Sequence, residues 1–497
     1  MLGYMSKILL IQPNRWGRGI TAIWIPSHAG ILKSRNHDVK LFDCTFYRNW
    51  TNNELDFNTQ NQQYEPTNYY DYIKWNDNDI YKDFQKMIDE FRPDLIFWSA
   101  LSSHIHAEGE YVNIQYGNML VTNVSTSAKK IAGGLQPTAE PENIAKRFPD
   151  IDFFIMGESE LVLAEISDKI EQKKDITTTD GLIWRKDTKN IINKPQKIIS
   201  DMDVISSYNY SLFDDQVFYR AYNGKVIRAV DYELSRGCVY ACSYCVETTI
   251  QQYYGFTDIT KQGTLKNAIS YLRNKSSKRI FDEMKFLNEK FGIELIRCQD
   301  TNFLTINKKI LEELAELIDK SDLPVYLYIE TRPEGITKSS IDLLKKLHVD
   351  GVGMGVEVSS ETFRKNILNR FPAQDKIIEA FELLKNASIK STAYNIIGLP
   401  NETEDMIIDT IKFNSILKPD NITVAFYSPY LGTSLQVESK EIGDFNNYEY
   451  NIDNQLRTVT RSSKIGKELL NFYKRNFTKL VRGGLEKLEE MKKSEVQ

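Results

Sequence analysis

Three of the chain's five cysteines, Cys238, Cys242 and Cys245, fall within eight residues in the segment SRGCVYACSYCVET. Thiols clustered in this way in an intracellular protein are more often metal ligands than crosslinks. A structural zinc ion normally takes four nitrogen or sulfur ligands, and no further His or Cys lies at finger spacing. A [4Fe–4S] cluster held by three cysteines instead keeps one iron open to a small molecule. The spacing favours such a cluster, with buried or zinc-binding cysteines as the alternative.

The cysteine count, the net charge and the first apolar stretch each exclude a class of protein. Five cysteines in 497 residues are too few, and odd in number, for a disulfide framework, so Cys44 and Cys298 are expected to be packing residues. The net charge of −5 argues against a nucleic-acid binder that works by bulk electrostatics. The first apolar stretch is too short for a secretion signal or a bilayer span. We therefore predict a cytoplasmic protein with no membrane span and no nucleic-acid partner.

The elements around the cysteines form a strand–helix series that places the motif after its first strand. Helical patterns such as residues 308–318 and 402–413 separate the strands, and six repeats predict a partial (β/α)6 barrel with its chemistry at the carboxyl ends of the strands. The strand candidates are residues 229–235, 293–299, 325–330, 351–357, 391–397 and 421–427.

The cysteine segment resembles the signature of radical S-adenosylmethionine (SAM) enzymes. Further motifs that resemble this family follow in order, namely CQDTNF at 298–303, IETRP at 329–333, GMGVEVSS at 353–360, NIIGLPNET at 395–403 and YSPYLGTSL at 427–435. The resemblance covers about residues 226–435. It implies a cluster whose open iron is chelated by SAM, followed by reductive cleavage of SAM to a 5′-deoxyadenosyl radical.

The resemblance also implies four SAM contacts. Tyr244 would hold the adenine through its backbone, Arg332 and Glu357 would contact polar groups of SAM, and Gly398 would let the backbone approach the adenosine. A structural ion pair between Arg332 and Glu357 across the barrel mouth is the alternative for those two residues.

The first 200 residues predict a doubly wound, Rossmann-like domain. An Asn-, Gln- and Tyr-rich stretch from Cys44 to about Asn78 interrupts the pattern and is expected to be a surface insertion. Residues 181–185 and 190–194 indicate a hairpin in a connector. The strand candidates are residues 7–11, 38–43, 94–99, 130–132 and 152–156.

A doubly wound domain before a radical SAM barrel resembles the cobalamin-binding domain of the cobalamin-dependent radical SAM class. Small and hydroxyl residues that follow strands, in SALSS at 99–103, AGGLQPT at 132–138 and GESE at 157–160, carry this resemblance. The alternatives are ordinary turns or a vestigial domain. The candidate cobalamin contacts are Asn14, Trp16, Ser99, Ser102, Gly133, Gly134, Gly157 and Glu158.

Many such domains carry DxHxxG after their first strand, where the His is the lower axial ligand of cobalt. This chain has NRWGRG at 14–19, which places Trp16 at the ligand position, and an indole has no lone pair to offer. We therefore expect cobalamin to bind without a protein histidine ligand, its lower face covered by Trp16 or a neighbour. The five histidines, His28, His37, His104, His106 and His348, are expected at the surface or in caps.

The sequence thus predicts an α/β protein of four parts. These are a cobalamin-binding-like Rossmann domain (1–179), a connector (180–225), a radical SAM barrel (226–435) and a small helical carboxyl-terminal region (436–497). The expected cofactors are a [4Fe–4S] cluster, SAM and cobalamin, and the expected partners are a small-molecule substrate and a reductase, flavodoxin or ferredoxin.

The expected reaction is methyl transfer to an unactivated carbon. A cyclase or rearrangement enzyme of the same class is the first alternative. A cobalamin and iron–sulfur protein that senses redox state or carries electrons is the alternative of another class. A methylthiotransferase is disfavoured because only Cys44 precedes the cysteine motif.

Overall fold

The computed structural model describes residues 5–15, 17–51, 67–68, 70–99, 107–187, 189–427, 429–439 and 463–495, and for residues 107–113 the backbone alone. The strands are β1 (Lys7–Gln12), β2 (Asp38–Asp43), β3 (Leu95–Ser99), β4 (Lys129–Gly133), β5 (Phe153–Ile155), β6 (Leu182–Lys186), β7 (Lys189–Ile192), β8 (Tyr219–Tyr222), β9 (Lys225–Tyr232), β10 (Ser235–Arg236), β11 (Arg273–Asn274), β12 (Leu295–Cys298), β13 (Tyr326–Thr331), β14 (Val349–Glu357), β15 (Lys390–Ile397) and β16 (Asn421–Phe426).

The described helices are α1 (Trp24–Ser34), α2 (Ile80–Phe91), α3 (Ala107–Thr122), α4 (Leu135–Ala139), α5 (Pro141–Arg147), α6 (Glu160–Glu171), α7 (Glu247–Tyr253), α8 (Ala268–Tyr271), α9 (Ser277–Phe291), α10 (Lys308–Ser321), α11 (Lys338–Lys346), α12 (Glu361–Asn366), α13 (Gln374–Asn386), α14 (Glu404–Leu417), α15 (Ser434–Glu438), α16 (Lys467–Gly483) and α17 (Leu488–Glu495). Within the described ranges, no helix has the length and apolar character needed to cross a membrane.

The chain divides into two compact units that are each built from several segments. The first unit comprises Met1–Glu233, Ile250–Gly255 and Asn274–Arg297. The second comprises Leu234–Thr249, Phe256–Arg273 and Cys298–Gln497. The domain limits given by the sequence stay predictions.

The first unit contains a seven-stranded sheet in the order β2-β1-β3-β4-β5-β6-β7. Strands β1 to β5 pair in parallel, whereas β6 pairs antiparallel with both β5 and β7. Central strand β3 is buried throughout, as expected for a strand of a parallel sheet that is covered on both faces. All five predicted strands are present, and the predicted hairpin (β6 and β7) extends this same sheet.

The expectation of a surface insertion after Cys44 is wrong for Phe46 and Trp50, whereas residues such as Arg48, Tyr72 and Lys74 are exposed as expected. Phe46 and Trp50 are 6% and 3% exposed. Phe46 packs edge-on against Trp75 at 5.8 Å, and its carbonyl accepts the Asn76 N–H at 2.9 Å. The aromatic residues thus bury themselves against each other despite their polar neighbours. Residues 52–66 and 69 lie outside the described part.

The expectation of surface histidines is wrong for His28 and His37, which are 1% and 4% exposed. His28 lies in α1, stacks on Phe97 at 5.0 Å, and has its Nε2 atom 2.9 Å from the Ser159 hydroxyl. His37 Nε2 lies 3.0 Å from Asp168 Oδ1. Both His28 ring nitrogens have polar partners, the Trp24 carbonyl and the Ser159 hydroxyl. His37 has Asp168 as a partner on one nitrogen, whereas its Nδ1 atom is buried without a hydrogen-bond partner among the described residues.

The other histidines differ. His348 is half-buried just after α11, where its N–H donates to the Lys345 carbonyl at 3.1 Å. His104 and His106 lie outside the described residues.

The second unit contains the parallel strands β13, β14, β15 and β16, adjacent in chain order. Helix α16 covers one end of this layer: Leu470, Phe472 and Phe477 are buried together with Ile411 and Phe426. All six strands predicted for the barrel series are present, as β9, β12, β13, β14, β15 and β16. The predicted α/β class, with a Rossmann-like sheet followed by a strand–helix series and carboxyl-terminal helices, is confirmed.

A buried ion pair holds the segment after β1 against β9 in the first unit. Asp231 Oδ2 accepts the Thr21 N–H at 3.1 Å and the Thr21 hydroxyl at 3.0 Å, and it lies 3.4 Å from Arg220 Nη2. The side chains of Arg220 and Asp231 are 8% and 4% exposed. Removal of one partner would leave an uncompensated charge in the core.

We predict that Asp231→Ala lowers the free energy of unfolding by about 3–5 kcal/mol, the usual cost of breaking a buried pair. Chemical denaturation of the full chain measures the change. Asp215→Ala is the matched control, because the Asp215 side chain is 70% exposed and pairs with Arg228 at the surface. The control is expected to cost at most about 1 kcal/mol. Equal losses in the two variants would contradict the prediction.

Candidate functional site

The cysteine segment lies just after the short strand β10. Cys238 and Cys242 are buried and Cys245 is partly exposed. Gly237, with φ +95°, turns the chain into the loop, and a Cβ there would lie 2.4 Å from the Tyr271 carbonyl oxygen. Only glycine suits this turn because both its backbone conformation and its surroundings exclude a side chain. All three thiols therefore lie on one loop.

Burial raises the pKa of two of these thiols. Burial raises the pKa of Cys238 to about 12, and the carboxylate of Glu247 and the neighbouring Cys242 add to this shift. Burial also raises the pKa of Cys245 well above its ordinary value, again with contributions from Cys242 and Glu247. Metal ligation requires thiolates, so assembly of a metal centre here must release protons and supply the compensating positive charge.

The spacing of the thiols bears on the kind of metal centre. Among the described residues, the group that brings three potential ligand atoms within 4.8 Å of one another is His37, Asp168 and Glu171, not the cysteines. Thiolates around a single tetrahedral zinc ion lie about 3.8 Å apart, given Zn–S bonds of about 2.3 Å. The three thiols are therefore not gathered around the position of a single zinc ion in this structure.

Arg332 contacts the cysteine loop directly. Its Nη1 atom donates to Cys242 Sγ at 3.4 Å, and its guanidinium lies 3.7 Å from the centre of the Tyr240 ring. Its Nε atom donates to Glu334 Oε1 at 2.8 Å. The alternative of an Arg332–Glu357 ion pair is therefore wrong, because Arg332 pairs with Glu334, the first carboxylate after β13, and not with Glu357.

Glu357 forms a different buried group at the end of β14. Its Oε1 atom accepts the Tyr244 hydroxyl at 2.9 Å and lies 3.5 Å from Arg370 Nη1. Arg370 Nη2 donates to the Gly355 carbonyl at 2.7 Å. Glu357 has φ +62°, a strained conformation for a side chain other than glycine, next to a register shift in the β14–β15 pairing. This geometry turns the carboxylate toward the cysteine loop.

Sequence reasoning missed Arg370. It lies after α12, in no motif that was recognised, and nothing in its spacing announces a contact with Tyr244 or Glu357. Its side chain is 6% exposed. Within the described part of the chain, Arg370 Nε and Glu334 Oε2 are buried without a hydrogen-bond partner. One of these atoms can donate a hydrogen bond and the other can accept one. Such a pair suits a zwitterionic ligand that carries an ammonium and a carboxylate group, as an amino acid does.

Gly398 lies at the turn after β15, with φ +79°. Its N–H donates to Glu402 Oε2 at 2.6 Å, and the Leu399 N–H donates to the same oxygen at 3.2 Å. Glu402 is fully buried, and burial raises its pKa to about 8 although the two N–H bonds oppose this shift. The Glu402 carboxyl group thus holds the turn at Gly398, where the sequence predicts that the backbone approaches the adenosine.

The described cobalamin candidates of the first unit lie at the carboxyl edge of its sheet. Ser99 and Gly133 end β3 and β4, and Gly157 follows β5. Asn14 follows β1, where its Nδ2 atom donates to the Arg18 carbonyl at 2.8 Å. The order β2-β1-β3-β4-β5 puts the switch point between β1 and β3, which is the usual ligand position in such sheets. Asn14 and Ser99 flank it.

Protein side chains occupy the space beside two of the candidate glycines. A Cβ on Gly157 would lie 2.5 Å from the Tyr254 hydroxyl, which accepts the Glu158 N–H at 2.8 Å. A Cβ on Gly133 would lie 3.1 Å from the Phe97 ring. Gly134, with φ +103°, precedes α4. The small residues at β4 and β5 therefore serve packing and turn geometry. Trp16 and Ser102 lie outside the described residues.

Comparison with known proteins places the cysteine motif in a family. Residues 232–413 match the model of the radical SAM superfamily. The chain is 27% identical over 306 residues to the anaerobic magnesium-protoporphyrin IX monomethyl ester cyclase of Synechocystis, an alignment that covers 61% of this chain and 56% of that protein. It is 25% identical to an uncharacterized methyltransferase of Pyrococcus horikoshii over 71% of each chain. The chain thus spans little more than half of the cyclase.

The fold has relatives among solved structures. The structure of the radical SAM methyltransferase TsrM from Kitasatospora setae, with cobalamin and a [4Fe–4S] cluster bound, superposes with a TM-score of 0.65 at 16% identity. The alignment covers 88% of this chain and 78% of TsrM. At this identity the likeness concerns the fold alone. The expected fold, a Rossmann-like sheet followed by a radical SAM domain, is confirmed.

We predict that Glu402→Gln removes the part of the pH dependence of protein stability that comes from the Glu402 carboxyl group. The folded protein holds the Glu402 proton more tightly than the unfolded chain, whose carboxyl has the ordinary pKa of 4.5. Stability from this group is complete below pH 4.5 and is lost as the pH rises toward about 8. Gln keeps an oxygen acceptor without a charge, so its melting temperature should fall less than that of the wild type between pH 5 and pH 8. Glu382→Gln, at an exposed position, is the control and should keep the wild-type slope. Parallel slopes in wild type and Glu402→Gln would refute the assignment.

Proposed function

We propose, from the premise that residues 232–413 form a radical SAM domain, that this chain uses a [4Fe–4S] cluster to cleave SAM and transfers a methyl group to a small molecule with the help of cobalamin. The observation that carries the proposal is the loop of three thiols, two of them buried, with the Arg332 guanidinium against Cys242. When bound, the cluster supplies the electron that cleaves SAM.

The residues of the second unit fit these groups. Cys238, Cys242 and Cys245 would hold the cluster, and the Arg332 guanidinium would offset part of the negative charge of its thiolates. Glu334 and Arg370, each with an unpartnered buried polar atom, would bind the ammonium and carboxylate groups of SAM. Glu357 would contact SAM with its orientation fixed by Tyr244 and Arg370, and the Gly398 turn would adjoin the adenosine.

Cobalamin is proposed for the switch point of the first unit. Support comes from the strand order, from Asn14 and Ser99 at this point, and from a fold like that of TsrM, whose structure holds cobalamin. The contacts proposed for Gly133, Gly134, Gly157 and Glu158 are backbone contacts along the same edge. The chain has Trp16 where many cobalamin domains have the axial histidine, so we propose a cobalt without a protein histidine ligand.

Two further parts of the proposal rest on chemistry alone. Cleavage of SAM consumes an electron, so a reductase, flavodoxin or ferredoxin must supply one. The substrate is proposed to be a small molecule with an unactivated carbon. The cytoplasmic location stays a prediction.

A ring-forming reaction is the second candidate. It is favoured by the 27% identity with the anaerobic cyclase of Synechocystis over 61% of this chain. The two reactions differ in the fate of the SAM methyl group, which enters the product only in methyl transfer.

The first prediction concerns the cluster. Cys242→Ala is expected to lose the broad absorption near 400 nm of an anaerobically reconstituted [4Fe–4S] protein and all release of 5′-deoxyadenosine with SAM and dithionite, because two thiolates cannot hold the cluster. Cys298→Ala is the matched control. It removes an equally buried thiol outside the loop and should keep both signals. Undiminished deoxyadenosine release from Cys242→Ala would refute Cys242 as a ligand of the cluster that cleaves SAM. No release from the reconstituted wild type would overturn the enzyme assignment in favour of a redox-sensing or electron-carrying protein.

The second prediction concerns cobalamin and the methyl group. The protein reconstituted with cobalamin is expected to retain it through gel filtration, and SAM labelled in its methyl group is expected to label the product extracted from cell metabolites. Unlabelled product together with deoxyadenosine release would favour the ring-forming candidate. Loss of all cobalamin at saturating supply would refute the cobalamin site.

A further inference from the structure

The residues between α7 and β11 form an excursion, residues 256–273, that lies on the cysteine loop. Within the second unit, the Ala241 N–H donates to the Gly263 carbonyl at 2.9 Å and the Leu265 N–H donates to the Val239 carbonyl at 2.8 Å. Tyr240 and Thr264 form an antiparallel bridge between these two bonds. The excursion is therefore bonded to the backbone between Cys238 and Cys242.

Side chains near this bridge also fix the excursion. Asn369 Nδ2 donates to the Ala241 carbonyl at 2.6 Å, and a Cβ on Gly263 would lie 2.8 Å from Asn369 Oδ1. Gly263 has φ +71° and cannot be replaced without strain. The excursion thus has a defined conformation over the cysteine loop.

The outer side of the excursion is both apolar and basic. Ile269 is 92% exposed and Ile259 is 47% exposed, and Ile269 is the most exposed large apolar side chain in the described part of the chain. Lys261 and Lys266 are exposed in the same segment, which has a single acidic residue, Asp258. An exposed isoleucine side chain contributes favourable free energy when a binding partner removes its apolar surface from water.

We propose that this surface, defined by Ile259, Lys261, Lys266 and Ile269, docks a small acidic protein that carries one electron to the cluster. The inference rests on the proposed function, because only a bound cluster needs this electron. In the transfer the carrier is oxidised by one electron and the cluster is reduced by one, and no atoms are exchanged.

Distance and charge together favour this partner. Electron transfer slows steeply with distance, and two of the three cysteines are buried, so the donor must bind at a surface segment that is in direct contact with the loop. Two hydrogen bonds join the backbone of the excursion to that of the loop. Two lysines around two exposed isoleucines suit a weak, transient contact that positive charge steers and apolar contact completes.

The test compares Lys261→Glu/Lys266→Glu with the wild type, using a purified flavodoxin as the probe. We expect its dissociation constant for the full-length protein, measured by calorimetry at low salt, to rise roughly tenfold in the variant. Salt should weaken wild-type binding but affect the variant much less. The rate of deoxyadenosine release should fall with flavodoxin as reductant and stay unchanged with dithionite, which needs no docking surface.

The matched control is Lys345→Glu/Lys346→Glu. These exposed lysines lie at the carboxyl end of α11, which leads to the amino end of β14 and not to the cysteine loop. The control should bind flavodoxin like the wild type. Equal binding by the Lys261/Lys266 variant and the wild type would overturn the docking surface while leaving the enzyme assignment intact. Failure of dithionite to support SAM cleavage in the wild type would instead refute the proposed function, and the docking proposal with it.

Discussion

The hydrogen bond from Arg332 to Cys242 is the interaction on which the second unit's site depends. Buried sulfur ligands need positive charge nearby, and the guanidinium reaches the loop from the end of β13 at 3.4 Å. Because Glu334 and Tyr240 hold the other sides of this guanidinium, its position is determined before any ligand binds. A charged group that is already in place costs no reorganisation when a cluster assembles.

The same requirement for paired charge explains the remainder of that site. Arg370 takes Glu357, Tyr244 and the Gly355 carbonyl, so a second guanidinium orients the carboxylate at the end of β14. Glu402, without a cation, is instead held by two backbone N–H groups and keeps its proton up to about pH 8. Buried polar groups thus decide the conformation of each strand end where SAM is proposed to bind.

The first unit follows a different constraint. Its sheet places Asn14 and Ser99 at a switch point, which is a property of strand order and not of the residues. Gly133 at the end of β4 leaves space for the Phe97 ring, and Gly157 after β5 leaves space for the Tyr254 side chain. Glycine in a ligand-binding motif and glycine that makes room for an aromatic ring look alike in a sequence, and only the neighbouring side chains distinguish them.

The sequence by itself determined the strands of both series, the loop of three cysteines and the radical SAM family, because these depend on local periodicity and on short contiguous motifs. It did not determine which carboxylate pairs with which arginine: Arg332 takes Glu334 and Arg370 takes Glu357. Nor did it reveal that His28 and His37 are buried, or that the excursion after α7 lies on the cysteine loop. The Arg370–Glu357 pair, the histidine contacts and the bonds of the excursion join residues that are separated in the chain, and only the tertiary structure brings them within bonding distance. Glu334 is close to Arg332 in the chain, but the short motif alone does not show that Glu334, and not Glu357, pairs with Arg332.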